Sequence, residues 1–160
     1  MKRLWTRLVV LVAMGFGLGL SPVASGTTGS LLGVLLAWAI APLSWIGQTV
    51  AVVLMILAAI PVCHVAEREF GKKDDGRVVA DEYVTFPLCL IGIPWMSQLW
   101  LLCAAFLVHR ALDIWKPTPA RQMQNIPGGV GIVLDDVVSS LYGLGVMHLL
   151  WWAAQRFGLA

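Results

Sequence analysis

Apolar residues run along this chain in long blocks separated by short polar stretches. Leu8–Leu20 follows the basic start Lys2, Arg3 and Arg7. Leu31–Ala41 ends at Pro42, and Trp45–Val62 is the longest apolar run. A helix that crosses the hydrocarbon needs about 20 residues, a length the last run approaches; Leu31–Ala41 is short unless tilted or re-entrant. The simplest layout is a hairpin with Pro42–Ser44 at its tip and both ends on one side. His64 to Glu82 is the main polar stretch, with Gly71 and Gly76 as helix-stop and turn residues. Tyr83–Ile93 and Trp95–His109 make a second apolar pair turning at Gly92 and Pro94, and the first of these is short enough to dip into a membrane without crossing it. Asn125 to Gly131 reads as a flexible connection. Val130–Leu134 then leads into Asp135-Asp136, and Val137–Ala154 forms a last apolar helix with Trp151, Trp152 and Arg156 near its end. The pattern predicts one all-α domain over residues 1–160, a membrane-embedded helical bundle whose hairpins gather the polar ends on one face.

Composition strengthens the membrane reading. The hydrophobic fraction is 59% and the mean hydropathy +0.82, against roughly 45–50% apolar residues in ordinary soluble domains. The net charge of +2 is uninformative, but the placement of charge is not. All 9 acids lie between Glu67 and Asp136. Arg68, Lys72, Lys73 and Arg77 place the polar stretch on the cytoplasmic side, together with the basic N-terminus. Cys63, Cys89 and Cys103 sit in apolar surroundings without a CxxC pair, as reduced, buried small hydrophobes do. The first 26 residues also have the n-, h- and c-regions of a signal peptide. Gly15, Gly17 and Gly19 loosen that apolar segment, however, and it runs without a break into Ser21-Pro22 and Gly26-Thr27-Thr28-Gly29-Ser30.

Ionisable groups inserted into such greasy surroundings are costly, so they mark a working site by default. Arg110, Asp113 and Lys116 fall at i, i+3 and i+6, on one side of about two helical turns, and Pro117 ends the helix beyond them. Asp81-Glu82 and Asp135-Asp136 add two further acid clusters at segment ends. Adjacent acids point about 100° apart on a helix, so one of each pair faces a common site. Crowded carboxylates need a cation, and oxygen donors without a Cys/His cluster favour Mg²⁺ over zinc. Arg110 and Lys116 are suited to phosphate oxygens, as is the glycine-spaced stretch with its hydroxyls and backbone N–H groups. Together these read as metal-assisted phosphoryl chemistry, in which a metal acidifies a bound water and neutralises charge on the transferring group. The bland alternatives are a structural Arg–Asp pair, a solvated acidic rim, and a polar loop with Ser30 as helix N-cap. Other phosphatase chemistries do not fit. A cysteine phosphatase has five residues between Cys and Arg, whereas four separate Cys63 from Arg68 and six separate Cys103 from Arg110. No DxD motif is present, and His64, His109 and His148 lack the Arg/His pattern of phosphohistidine lipid phosphatases. His148 reads as a packed residue; His64 and His109 border the polar clusters.

Four stretches carry a family resemblance: GFGLGLSPVASGTTGS (Gly15–Ser30), Asp81-Glu82, FLVHRALDIWKPTP (Phe106–Pro119) and GGVGIVLDDVV (Gly128–Val138). In order and spacing the chain closely resembles phosphatidylglycerophosphatase A along nearly its whole length. The resemblance implies an all-helical bundle at the bacterial inner membrane that removes the terminal phosphate of phosphatidylglycerophosphate with Mg²⁺, giving phosphatidylglycerol. Arg110, Asp113, Lys116 and Pro117 match the family's Arg-x-x-Asp-x-x-Lys-Pro motif, and Asp81-Glu82 and Asp135-Asp136 its two acid pairs. Ser21-Pro22, Gly26-Thr27 and Gly29-Ser30 match its glycine-rich loop, although Ser25 stands where the family usually has proline. It also retires the signal-peptide reading, since cleavage near Ser25 would cut that loop.

The site expected on these grounds has Glu82, Asp113, Asp135 and Asp136 holding Mg²⁺. Arg110 and Lys116 clamp the phosphomonoester, helped by Ser21, Gly26, Thr27 and Ser30, and Asp81 acts as base or supports the metal-holding acids. Apolar helices beside the site would hold the two acyl chains. The expected partners are the substrate and bilayer lipids, with no nucleic acid, and the sequence leaves the oligomeric state open. The expected placement is multi-pass, with the site on the cytoplasmic face. A small membrane transporter or channel module is the alternative from another class; it requires charges near helix centres along a path. A purely structural subunit leaves the acid clustering unexplained.

Overall fold

The structure is a computed structural model and describes residues 2–158. Its elements are helices α1 (Lys2–Ala13), α2 (Ser25–Ile40), α3 (Trp45–Phe70), α4 (Ala80–Thr85), α5 (Leu99–Trp115), α6 (Ala120–Met123) and α7 (Gly129–Arg156), with 3-10 turns at Gly15–Leu20 and Phe86–Leu90. No strand occurs among the described residues. The chain is therefore all-α, as its blocks of apolar residues predict.

The first hairpin forms where expected. Pro42–Ser44 connects α2 to α3, and the Ser44 hydroxyl caps α3 by accepting from the Gly47 N–H at 3.3 Å. Helix α3 continues past Val62 through the polar residues His64–Phe70 and stops at Gly71 in the left-handed conformation (φ 64°), a position glycine fills without a Cβ clash. Both α3 and α7 are long and apolar enough to cross a membrane, and only 22% of the most apolar 18-residue stretch of α3 is buried. A helix that apolar and that uncovered is not the core of a water-soluble bundle. Leu54, Leu57 and Val53 lie exposed along it.

Several elements differ from the expected pattern. Leu8–Leu20 is broken: α1 ends at Ala13, and the chain turns through Gly15, Phe16 and Gly17, all at positive φ. Gly26–Ser30 is not a loop but the first turns of α2, whose N-cap is Ala24. Tyr83–Ile93 is neither a span nor one helix; α4 and the following 3-10 turn, with Pro87 at its start, are buried in the centre. Gly129 and Gly131 belong to α7, so Asp135 and Asp136 sit two turns inside a continuous helix. Lys116 caps α5 in the left-handed conformation (φ 48°), so it leaves the helical row that Arg110 and Asp113 share. Cys63 and Cys89 are buried, whereas Cys103 lies exposed on the outer face of α5 with Leu99, Trp100 and Leu107.

Helix α4 is the hub. Gly26, Gly29 and Gly33 form one face of α2, and α4 with the residues just before and after it lies directly on that face: a Cβ at Gly29 would fall 2.5 Å from Val79 Cβ, and one at Gly33 2.7 Å from Phe86 Cβ. Small residues at such a crossing let backbones approach closely. On its other sides α4 packs against α3 and α7. One apolar core joins α1, α3, α4 and the start of α7 around Ala13, Cys63, Val79 and Val133. A second joins α2, the 3-10 turn, α5 and α7 around Phe86, Leu101, Ala105 and Met147. The charged cluster lies where α4, α5 and α7 meet.

Candidate active site

Each of three helices delivers acids to this junction. Glu82 comes from α4, Asp113 from the last turn of α5, and Asp135 and Asp136 from α7. Two cations tie them together. Arg110 Nη1 donates to Glu82 Oε2 at 2.8 Å and to Asp113 Oδ2 at 2.5 Å. Lys116 Nζ donates to Asp135 Oδ2 and stands 3.6 Å from Asp113 Oδ1 and 3.7 Å from Asp136 Oδ1. Its departure from the helix is what lets one ammonium face three carboxylates. Asp113 is shared by both cations, so it is the link between the α4 and α7 halves of the cluster.

Helix α2 supplies the fourth wall. The Ser30 hydroxyl lies 2.8 Å from the Gly26 carbonyl and 3.1 Å from Glu82 Oε2, so its one proton is divided between two acceptors. Gly26 itself backs onto the Glu82 carboxylate, which would overlap any added Cβ. Gly26 and Ser30 thus hold Glu82 in this structure. Thr27, the next residue, is half-buried. Ser21 stands apart: its hydroxyl donates to the Val23 carbonyl at 2.8 Å.

Burial sets the electrostatics. Burial pushes the Glu82 carboxyl up against the opposing pull of Arg110, to about 7. The Asp81 carboxyl is driven further up by burial and then by the charges of Glu82 and Asp135. Burial alone would lower the Lys116 ammonium, but Asp136 and Asp135 outweigh it and hold it above its ordinary value. The acids outnumber the two cations, and two buried carboxylate oxygens, Asp81 Oδ1 and Asp136 Oδ2, have no hydrogen-bond partner. A buried unpaired carboxylate oxygen is costly unless something positive completes it. Among the described residues no three acid, Cys or His side chains already stand grouped as metal ligands; the acids converge on Arg110 and Lys116 instead. Oxygen-only donors in excess of their counter-charges, two of them unpaired, have the chemistry that suits a hard divalent cation.

The sequence did not single out Asp74. It lies on the loop between α3 and α4, at positive φ (50°), and accepts from Gln124 Nε2 at 3.4 Å. Its charge is among those that raise Asp81. The only signal was a pair of acids before Gly76 inside a basic stretch, which reads as solvated loop. The histidines fall outside the cluster of ion pairs. His109 is fully buried behind it, with Nδ1 3.2 Å from Ser140 Oγ and its ring edge-on to Phe86. His148 packs as expected, Nε2 3.1 Å from the Ile91 carbonyl. His64 lies against Gly128 and Gly129 at the start of α7.

The family model for phosphatidylglycerophosphatase A matches residues 11–151, which include every member of this cluster. The chain belongs to the phosphatidylglycerophosphatase A family. Membership makes it a phosphatase, and the transporter alternative falls with it. Phosphatidylglycerophosphatase A of Escherichia coli K12 is 35% identical over 141 residues, covering 88% of this chain and 81% of that protein. Phosphatidylglycerophosphatase A of Haemophilus influenzae is 35% identical over 147 residues, covering 89% and 88%. A Bacteroides thetaiotaomicron protein with the provisional name phosphatidylinositol-3-phosphatase is 36% identical over 151 residues, covering 91% and 94%. No solved structure matches the chain significantly.

Proposed function

We propose that this protein hydrolyses the terminal phosphomonoester of phosphatidylglycerophosphate to phosphatidylglycerol and inorganic phosphate, at the cytoplasmic face of a bacterial inner membrane and with Mg²⁺. The observation that carries the reading is the junction itself: Arg110 and Lys116, each held between carboxylates, at the meeting of helices from a chain of this family. Two relatives are named for this activity and a third for another lipid phosphomonoester. All three names describe a phosphate carried on a lipid headgroup.

Glu82, Asp113, Asp135 and Asp136 would hold the cation, with Asp81 beside them. Such an ion supplies charge neutralisation on the transferring phosphoryl group and an acidified water. The chain's own groups do the rest. Arg110 presents a planar fork to two phosphate oxygens, and Lys116 presents a point charge. Glu82 and Asp113 fix the guanidinium so that little orientation is lost on binding. Asp81, buried with its Oδ1 unpartnered, is our candidate for the base that accepts the proton of the attacking water, in the ionised form that a bound cation would favour. Hydrolysis forms a bond from water oxygen to phosphorus and breaks the bond to the glycerol oxygen, which leaves as the alcohol. The basic residues Arg68, Lys72, Lys73 and Arg77 near the end of α3 support the cytoplasmic placement.

The test is phosphate release in detergent micelles with Mg²⁺ or excess chelator, from phosphatidylglycerophosphate and from phosphatidylinositol 3-phosphate. Wild type is expected to prefer the first lipid, and chelator to abolish release. Asp113→Asn, which keeps the side-chain shape, is expected to lower kcat by at least about 100-fold, whereas Asp113→Ala should also lower the thermal transition because it takes a shared partner from Arg110 and Lys116. Preference for the inositol lipid would reassign the substrate, and chelator-insensitive release would discard the metal.

A further inference from the structure

Helix α4 has two faces with opposite chemistry. Asp81 and Glu82 belong to the charged junction, whereas Ala80, Tyr83 and Val84, at helical spacing on the reverse side, line a cavity of about 210 Å³. The cavity exists because the α2–α3 hairpin splays. The two helices scarcely touch beyond their shared tip, and α4 is wedged between them. Leu36 of α2 forms one wall, and Met55, Ala58, Ala59 and Val62 of α3 form the other.

Nothing in this cavity invites a polar ligand. Every lining side chain is apolar except Tyr83, and the Tyr83 hydroxyl already donates to the Val12 carbonyl at 2.9 Å. Apolar cavities without polar partners stay dry and take hydrocarbon. The volume is below the roughly 300–1,000 Å³ of pockets that enclose a whole drug-sized ligand, so it suits a length of single chain and not a headgroup. Depth also fits. Cys63, the residue after Val62, lies against the Asp81 backbone. From that level the lining runs back along α3 to Met55, about 10 Å toward the hairpin tip at 1.5 Å per residue. At the rim, Ala58 is exposed beside the exposed Leu54 and Leu57, so the cavity opens onto the apolar flank of α3.

We propose that this cavity seats one acyl chain of the lipid substrate, with α4 dividing the chain from the acids that act on its headgroup. The inference rests on the lipid-phosphatase reading and deepens it: the enzyme measures hydrocarbon as well as phosphate. It also makes the acyl site and the charged site two sides of one short helix.

The experiment compares two substrates, dioleoyl phosphatidylglycerophosphate in micelles and its water-soluble deacylated headgroup, with wild type, Ala58→Trp at the rim and Leu36→Trp on the opposite wall. Obstruction of the cavity is expected to raise KM for the diacyl lipid by about tenfold or more and to leave kcat/KM for the deacylated compound unchanged. Equal losses on both substrates, or no change on either, would overturn the acyl site. Labelling reads occupancy independently of turnover: a phosphatidylglycerol bearing a diazirine on one chain should label α3 between residues 55 and 62 in wild type. That labelling should fall about tenfold in Ala58→Trp. Labelling spread evenly over the exposed α3 face would overturn the proposal. Turnover of neither substrate by wild type, with the labelling intact, would sink the phosphatase reading and leave the acyl site standing.

Discussion

A methyl group at Gly26 would fall 2.1 Å from Glu82 Oε1 and 2.6 Å from Oε2. Glu82 cannot simply swing aside, because Arg110 and Ser30 hold the same carboxylate. Gly26→Ala should therefore destabilise the protein by about 1–3 kcal/mol despite its gain in helix propensity. It should also lower kcat at least tenfold. Shortening the acid in the double variant Gly26→Ala/Glu82→Asp should recover part of the stability, a coupling that a thermal-unfolding double-mutant cycle measures. Additive losses would mean that the two residues do not meet. At this scale the sequence was legible where chemistry is dense and silent where packing decides. The acids and cations stood out because charge is scarce in this chain. That Ser30 would be buried against Glu82 was not visible, since a Gly/Thr/Ser run reads as loop until α4 is laid on it. Asp74 was passed over for a related reason: only the return of the loop brings its charge near Asp81.

Among the helices, the contacts of α7 decide what can change. At Gly129 an added Cβ would lie 2.0 Å from the Ile60 carbonyl oxygen, which is backbone and cannot rotate away. Gly129→Ala is expected to force α3 and α7 apart and cost about 3 kcal/mol, read as a lower thermal transition in detergent. Gly145, on the same helix, meets nothing within 4 Å, so Gly145→Ala should be neutral or stabilising by up to about 1 kcal/mol. The reverse order of these two variants would refute the crossing. The sequence placed the α2–α3 hairpin and its tip correctly, because Pro42 and Ser44 are local signals. It divided α7 at Asp135-Asp136 and read its glycines as a flexible connection. A glycine that lets two helices touch and a glycine that frees a loop are the same letter; only the partner helix tells them apart.

Across the molecule, the buried acids tie stability to pH. Glu82 holds its proton to about 7 in the folded protein against an ordinary value of 4.5. A folded-state value above the unfolded one means the native state keeps a proton that the unfolded chain releases. Stability should therefore fall as pH rises from about 4.5 to about 7 and then level off, a loss of about 3 kcal/mol from this group. Asp81 acts in the same direction. The thermal transition in detergent should thus be lower at pH 8 than at pH 5.5. Glu82→Gln should flatten that slope, and Mg²⁺ should recover stability at pH 8. A transition that rises between those pH values would contradict the buried, protonated acids described above.

The hub of this molecule is six residues long. A helix that short cannot persist by itself, since nucleation costs more than its few hydrogen bonds return. Helix α4 therefore depends on the packing of α2, α3 and α7 around it, and α7 is the last of these to be synthesised. Until then the carboxylates on α4, α5 and α7 are scattered along separate segments and do not converge on Arg110 and Lys116. On the proposed site, catalytic competence would be a report on completed assembly: a chain cut short before α7 lacks Asp135 and Asp136 and would leave no stray phosphatase behind.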